Sequence, residues 1–387
     1  MHYGKISFTA AMVTIVLWLP MSHGADAARS IQTVPGMPAV IDPNNLYSET
    51  RSDKLSPVVA KHLNRVYVPN RSSNDVWVID PETLKVVDKF KVGVHPQHVV
   101  PSWDLKTLWV NNNAEGRTDG SVTPIDPLTG KPGKTIPVDD PYNMYFTPNG
   151  DAAIIVAEAR KRLDFRDPHT MAMKYSIDTP ECRGINHADF SIDGRYVIFT
   201  CEYDKTLAKI DLVEKKVVGY LKLSKGGMPQ DVRSAPDGKA FYVADMKAEG
   251  VFIIDGDKFA EIGHIKTGLG AHGLYPSRDG TKLYVANRGV ARVYGPPKGK
   301  GSISVIDFAT RKVEATWPIP GGGSPDMGNV SIDGKQLWLS GRYDNSVYVI
   351  DTSSGKVKSI PVKTEPHGLT VWPQPGRYSL GHTGNLR

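Results

Sequence analysis

The chain has 387 residues, with 47 lysines and arginines against 41 acidic residues and only two cysteines, Cys182 and Cys201. A net charge of +6 over that length, with both signs interleaved and no dense basic stripe, argues against a nucleic-acid partner. Two cysteines exclude a disulfide framework. The expected partner is a small ligand or another protein.

The first segment reads as a targeting sequence. Lys5 precedes the apolar run Ile6 to Leu19, and small residues follow from Ser22 to Ala28. This is the pattern of a Sec-type signal peptide over residues 1–27, leaving 28–387 as one domain, periplasmic or secreted. The run is too short for a comfortable membrane anchor, and no later segment could span a bilayer.

From residue 65 onward one unit repeats. Seven apolar strands end in Asp80, Asp126, Asp167, Asp211, Asp255, Asp307 and Asp351, spaced by 46, 41, 44, 44, 52 and 44 residues. Ahead of each lies another β-branched or aromatic run: Tyr67-Val68-Pro69-Asn70, Trp109-Val110-Asn111-Asn112, Ile155-Val156-Ala157-Glu158, Phe199-Thr200-Cys201-Glu202, Tyr242-Val243-Ala244-Asp245, Tyr284-Val285-Ala286-Asn287 and Trp338-Leu339-Ser340-Gly341. Asp-Gly pairs at 193, 237, 279 and 333, and Asn149-Gly150, supply turn residues that tolerate positive φ. A Lys-Val type strand such as Lys85-Val86-Val87 follows each repeat aspartate. Each unit is thus four short antiparallel strands, which cannot bury both faces alone. A period in the low to mid forties predicts an all-β fold, a seven-bladed β-propeller of four-stranded antiparallel blades. The repeat aspartates are expected to cap the turns that follow them. Leu369-Thr370-Val371-Trp372 reads as an innermost strand that completes the first blade, although Ser56 to Ala60 also fits that place. Ile31 to Val34 reads as an outermost strand.

Tyr284-Val285-Ala286-Asn287, Tyr242-Val243-Ala244-Asp245 and Tyr67-Val68-Pro69-Asn70 resemble the signature of the YVTN-repeat family of exported, YncE-like β-propellers. The resemblance extends over essentially the whole mature chain. It is more distant to the haem d1 propeller domain and to seven-bladed lactonases. It implies the architecture and leaves the function open, because a fold hosts many activities.

The loops entering each innermost strand carry the chemistry. His98, His187, His272 and His367 recur there, beside Asp231 and Asp326, and Glu158 and Glu202 open the neighbouring loops. Imidazoles and carboxylates gathered at one end of a ring suit a transition metal or a haem-like group. The alternative is that these histidines only tie their loops to the next blade. His98 and His187 align with Asn143, but His272 and His367 align with Tyr142, and that one-residue offset predicts side chains pointing different ways. Arg71, Arg288 and Arg342 on the same face form a second candidate set, for an anionic cofactor or ligand. The loop from Asn287 to Asp307, twenty residues against nine or ten in five blades, is expected to form a rim or lid.

Gly268-Leu269-Gly270-Ala271-His272-Gly273 matches a dinucleotide-binding fingerprint by letter, but it precedes a strand and offers no helix N-terminus. In an oxidising compartment Cys182 and Cys201 could bridge. With Cys201 opposite Asn186 in this register, a bridge requires the intervening loop to fold back. The reading that results is an exported binding or scaffold protein acting through its histidine-bearing face. The competing class is an enzyme, either a metal- or haem-like-cofactor-dependent redox protein or a lactonase-like hydrolase.

Overall fold

The structure is a computed structural model that describes residues 1, 2, 4, 30–35, 37, 39–293 and 299–376. The expected signal peptide and the tip of the long loop, residues 294–298, lie outside the described residues.

Seven antiparallel sheets follow one another in chain order. Blade 1 joins Thr370–Trp372, Arg65–Asn70, Asp75–Asp80 and Lys85–Lys91, from the axis outward. Blade 2 comprises Pro96–Pro101, Leu108–Asn112, Ser121–Asp126 and an outer edge split into Lys131–Pro132 and Ile136–Pro137. The split follows from the proline and glycine content of that edge, since proline has no N–H for the ladder. Blades 3 to 7 are regular four-stranded sheets with innermost strands Pro141–Phe146, Ile185–Phe190, Pro229–Ser234, Ala271–Pro276 and Pro325–Val330.

Strand periodicity dictates how the blades stack. Successive side chains leave a strand on opposite faces, so each sheet supplies two interfaces. In Tyr196–Cys201, Val197 and Phe199 pack toward blade 3, while Tyr196 and Ile198 pack toward blade 5. The result is one apolar cluster per neighbouring pair of blades, seven around the ring. Each fully buried Val, Ile, Leu or Phe contributes about 1.5–3 kcal/mol of transfer free energy.

The C-terminal strand closes the ring. Trp372, Val371 and Thr370 pair with Arg65, Val66 and Tyr67. Ser56 to Ala60 instead forms the short 3-10 turn Pro57–Val59. Ile31 to Val34 is not a strand. It belongs to a strap across the face opposite the histidine loops, where Gln32 N–H donates to the Ile192 carbonyl, Leu46 N–H to Pro236 and the Tyr47 hydroxyl to Ser234. Ile31, Leu46, Tyr47 and Ile192 form their own small apolar cluster there, which satisfies this segment by packing in place of a sheet edge.

All seven repeat aspartates cap turns as expected. Asp80 Oδ1, for example, accepts from the N–H groups of Glu82 and Thr83, and Asp351 Oδ1 from those of Ser353 and Ser354. Cys182 and Cys201 are disulfide-bonded. Cys201 pairs with Ile185, and the turn closed by Cys182 N–H on the Thr179 carbonyl brings the other sulfur back onto it. Replacing both cysteines by alanine should leave the far-UV circular dichroism unchanged and lower stability in denaturant by about 3 kcal/mol, the scale for a loop of this length.

Candidate functional site at the channel mouth

The histidines converge although their sequence offset predicts otherwise. Six of the seven innermost strands carry a β-bulge near their first turn. In blade 4, Ile185 pairs with Cys201 and Ala188 with Phe199, so Asn186 and His187 share the place opposite Thr200. In blade 6, His272 is the extra residue between the pairs Ala271–Asn287 and Gly273–Ala286. A bulge frees consecutive side chains from strict alternation. Both members of each offset pair therefore reach the channel. Thr200 and Ser340 show how the loosened backbone is satisfied: each hydroxyl bonds the N–H and the carbonyl of one bulged residue, His187 and Met327 respectively.

The four imidazoles form a closed ring around the axis. Ring centroids are 5.2 Å apart for His98 and His187, 6.2 Å for His187 and His272, 6.4 Å for His272 and His367, and 4.7 Å for His367 and His98. Glycines make the room. A Cβ on Gly368 would overlap the His98 ring, and one on Gly273 the Tyr275 hydroxyl. Tyr142 leans on the ring from blade 3, with its hydroxyl 3.5 Å from His187 Nε2. On the other side of that imidazole Asn143 Nδ2 lies 3.2 Å from Nδ1.

Asp326 is the charged centre. Its carboxylate lies 2.9 Å from His272 Nδ1 and 3.7 Å from His367 Nε2, and it receives Arg288 Nη2 at 2.8 Å on both oxygens. Arg342 Nη1 is 4.0 Å away. Burial opposes its charge, but Arg288, His272 and His367 outweigh burial and hold the carboxyl well below its usual range. His367 Nδ1 lies 3.2 Å from the Gln97 carbonyl, so Nδ1 carries the proton and Nε2, which has no hydrogen-bond partner, keeps its lone pair. Among the described residues, His272, Asp326 and His367 are the group whose donor atoms come together, all within 4.8 Å of one another.

Burial keeps the ring neutral. It pushes His98 down to about 3 and, with Arg288, His272 down to about 4; His187 and His367 also fall well below an ordinary imidazole. A neutral imidazole is the form that ligates metals. At the mouth a small cavity of about 20 Å³, room for a water molecule, lies beside His272, lined by Gln97, Tyr142, Glu158, Glu202, Arg288 and Arg342 among others. Burial and mutual repulsion raise the Glu158 carboxyl well above its ordinary value, and burial raises Glu202 although Gln230 and Asn186 donate to it.

Two expected site residues are engaged elsewhere. Asp231 accepts backbone N–H bonds at 2.9 Å from Val232 and from Leu274 of the next blade, clasping two innermost strands. Burial pushes its carboxyl up to about 6. Arg71 stands on the rim, ion-paired with Glu115 and Glu365. Tyr142 and Gln97 were not among the expected site residues, although both occupy the register of His272 and His367 in the recurrent loop. Neighbouring imidazoles around the axis stand 4.7–6.4 Å apart, centroid to centroid.

A family model of YNCE-like beta-propellers matches residues 54–375. No curated protein matches the chain in sequence. Among solved structures the fold is similar to hydrazine synthase of Kuenenia stuttgartiensis, at 20% identity and TM-score 0.58, covering 79% of this chain and 94% of that one. It is similar to the dihydro-heme d1 dehydrogenase NirN, solved in complex with DHE, at 15% and 0.58, covering 80% and 75%. A candidate 6-phosphogluconolactonase of Bacteroides uniformis matches at 16% and 0.61, covering 79% and 99%. At these identities the likeness extends to the fold alone.

Two measurements check the site as described. Nitrogen NMR of the metal-free protein should show the His98 and His272 rings still neutral at pH 5, where a free histidine, titrating near 6.5, is mostly protonated. Gly368→Ala should lower stability by about 1–3 kcal/mol, the usual cost of forcing an atom into a filled space, and should displace the His98 resonances.

Proposed function

We propose, for a chain that belongs to the YNCE-like beta-propeller family, that it is an exported binding protein whose channel holds a divalent transition-metal ion on His272, His367 and Asp326. The observation that carries this reading is the donor set itself: two neutral imidazoles and one ionised carboxylate, converging within 4.8 Å. Two imidazoles and a carboxylate suit a first-row metal, which would displace Arg288 from one of the Asp326 oxygens that it now holds. His98 and His187 stand against the same ring and would lend it further nitrogen ligands or a dry wall.

The rest of the site supports a ligand-binding role for the ion. Gln97 orients His367 through its carbonyl, as outer partners of metal-bound histidines do. The small cavity beside His272 has room for a water molecule next to the proposed ligands. No helix among the described residues is long and apolar enough to cross a membrane. A scaffold role would use the rim alone and would leave this buried donor set without a purpose.

Metal analysis of the full protein purified from its native host tests the reading. About one ion per chain is expected. His272→Ala with His367→Ala should hold less than a tenth of that while keeping its circular dichroism. A double variant that retains stoichiometric metal, or a wild-type chain that takes up no first-row ion on titration, overturns the proposal.

A further inference from the structure

Asp326 already has a resident cation. Arg288 is buried, at 1% exposure, and its Nη2 lies 2.8 Å from both Asp326 oxygens. His272 Nδ1 approaches the same carboxylate at 2.9 Å and His367 Nε2 at 3.7 Å. The guanidinium thus holds the oxygens that an ion on His272, His367 and Asp326 needs. Two cations repel strongly at one buried carboxylate, because the interior screens them little. The rest of the Arg288 head is loosely held among the described residues: Nη1 meets the Met246 sulfur at 3.8 Å, and Nε has no hydrogen-bond partner. Its backbone is pinned, with its N–H donating to the Gly270 carbonyl and that of Gly289 to Leu269, so any movement is confined to the side chain.

A second carboxylate stands within its reach. Glu202 lines the same water-sized cavity as Arg288 and is 4% exposed. Its Oε1 accepts one bond from Gln230 and its Oε2 one from Asn186, and each oxygen has a further lone pair. Of the charges that act on Glu202, that of Arg288 is the largest. We infer that Arg288 is a built-in competitor for the metal: it holds Asp326 in the metal-free chain, turns to Glu202 when an ion arrives, and regains Asp326 as the ion leaves. The inference rests on the metal reading and sets the regulation of that site. Arg288 acts through Asp326, so it is a positioning residue and not a ligand. An internal cation that repels the ion and replaces it shortens the ion's stay, which suits a protein that carries an ion and gives it up.

The test is titration of the full protein, freed of metal by chelator, with zinc and separately with cobalt(II), followed by the rate of zinc transfer to excess chelator. Arg288→Gln should bind zinc about tenfold or more tightly and release it correspondingly more slowly. Cobalt should gain by a similar factor, because the competition is one of charge. Arg288→Lys keeps the charge and should gain less than about threefold. Arg195→Gln, on the opposite face, should stay within about twofold of wild type. Glu202→Gln removes the alternative partner and should weaken zinc several-fold in the wild-type chain but not in Arg288→Gln, a coupling that a change of net charge alone does not produce. Equal or weaker zinc binding by Arg288→Gln overturns the inference and leaves the metal reading standing. Tightening by Arg288→Lys equal to that by Arg288→Gln, or an equal loss from Glu202→Gln in both backgrounds, overturns it as well. Where Arg288→Gln does not fold, unchanged zinc affinity and release in Glu202→Gln is the overturning result. No zinc binding by either chain sinks both proposals. Binding by Arg288→Gln alone keeps the arginine as competitor and sinks the metal reading for the natural chain.

Discussion

Three backbone pairings between Thr370–Trp372 and Arg65–Tyr67 hold the ring shut, and the site exists only because they do. The same C-terminal segment brings His367 beside Gln97, through the bond of His367 N–H to the Pro69 carbonyl and of Gly368 N–H to Gln97. His98 then packs on Gly368. Residues separated by some 270 positions thereby meet on one axis. Everything that the imidazole ring can do follows from a pairing between the two ends of the folded domain.

Burial and charge work against each other in the channel, and the balance decides its chemistry. Four imidazoles enclosed together cannot all carry protons, so they remain neutral donors of lone pairs. Asp326 stays ionised in the same enclosure because Arg288 Nη2 donates to both of its oxygens and His272 and His367 stand beside it. One turn toward solvent, Glu158 and Glu202 lack such an answer and lean toward their neutral forms. The propeller core is built almost wholly from other residues; of the channel groups only Tyr142 also belongs to one of its seven apolar clusters.

The architecture was legible because its signals are local and repeated. The spacing of Asp80 to Asp351, the apolar runs ahead of them and the turn residues between them specify blades without reference to any long-range contact. The face that carries the histidines was legible for the same reason. Their convergence was not. Parity counting sends His272 away from His187, and only the bulge opposite Thr200 and Ala286 brings them together. A bulge is a property of pairing, and a single strand's sequence does not display it. Asp231 illustrates the opposite error: it occupies the histidine register, yet the N–H groups of Val232 and Leu274 claim both of its oxygens. The strap at Ile31 to Val34 was misread as a strand because an apolar alternation looks alike whether it pairs with a sheet edge or lies on a row of turns.

The placement of the closing strand has a consequence for the order of events in biosynthesis. The chain is made from its N-terminal end, so Arg65–Asn70 emerges early with its axial edge unpaired, and Thr370–Trp372 emerges after six further blades. Throughout that interval His98, His187 and His272 have no fourth companion, and the apolar wall of blade 1 that later faces blade 7 is uncovered. The nascent protein is therefore a row of stacked sheets with two sticky ends until the last strand is made.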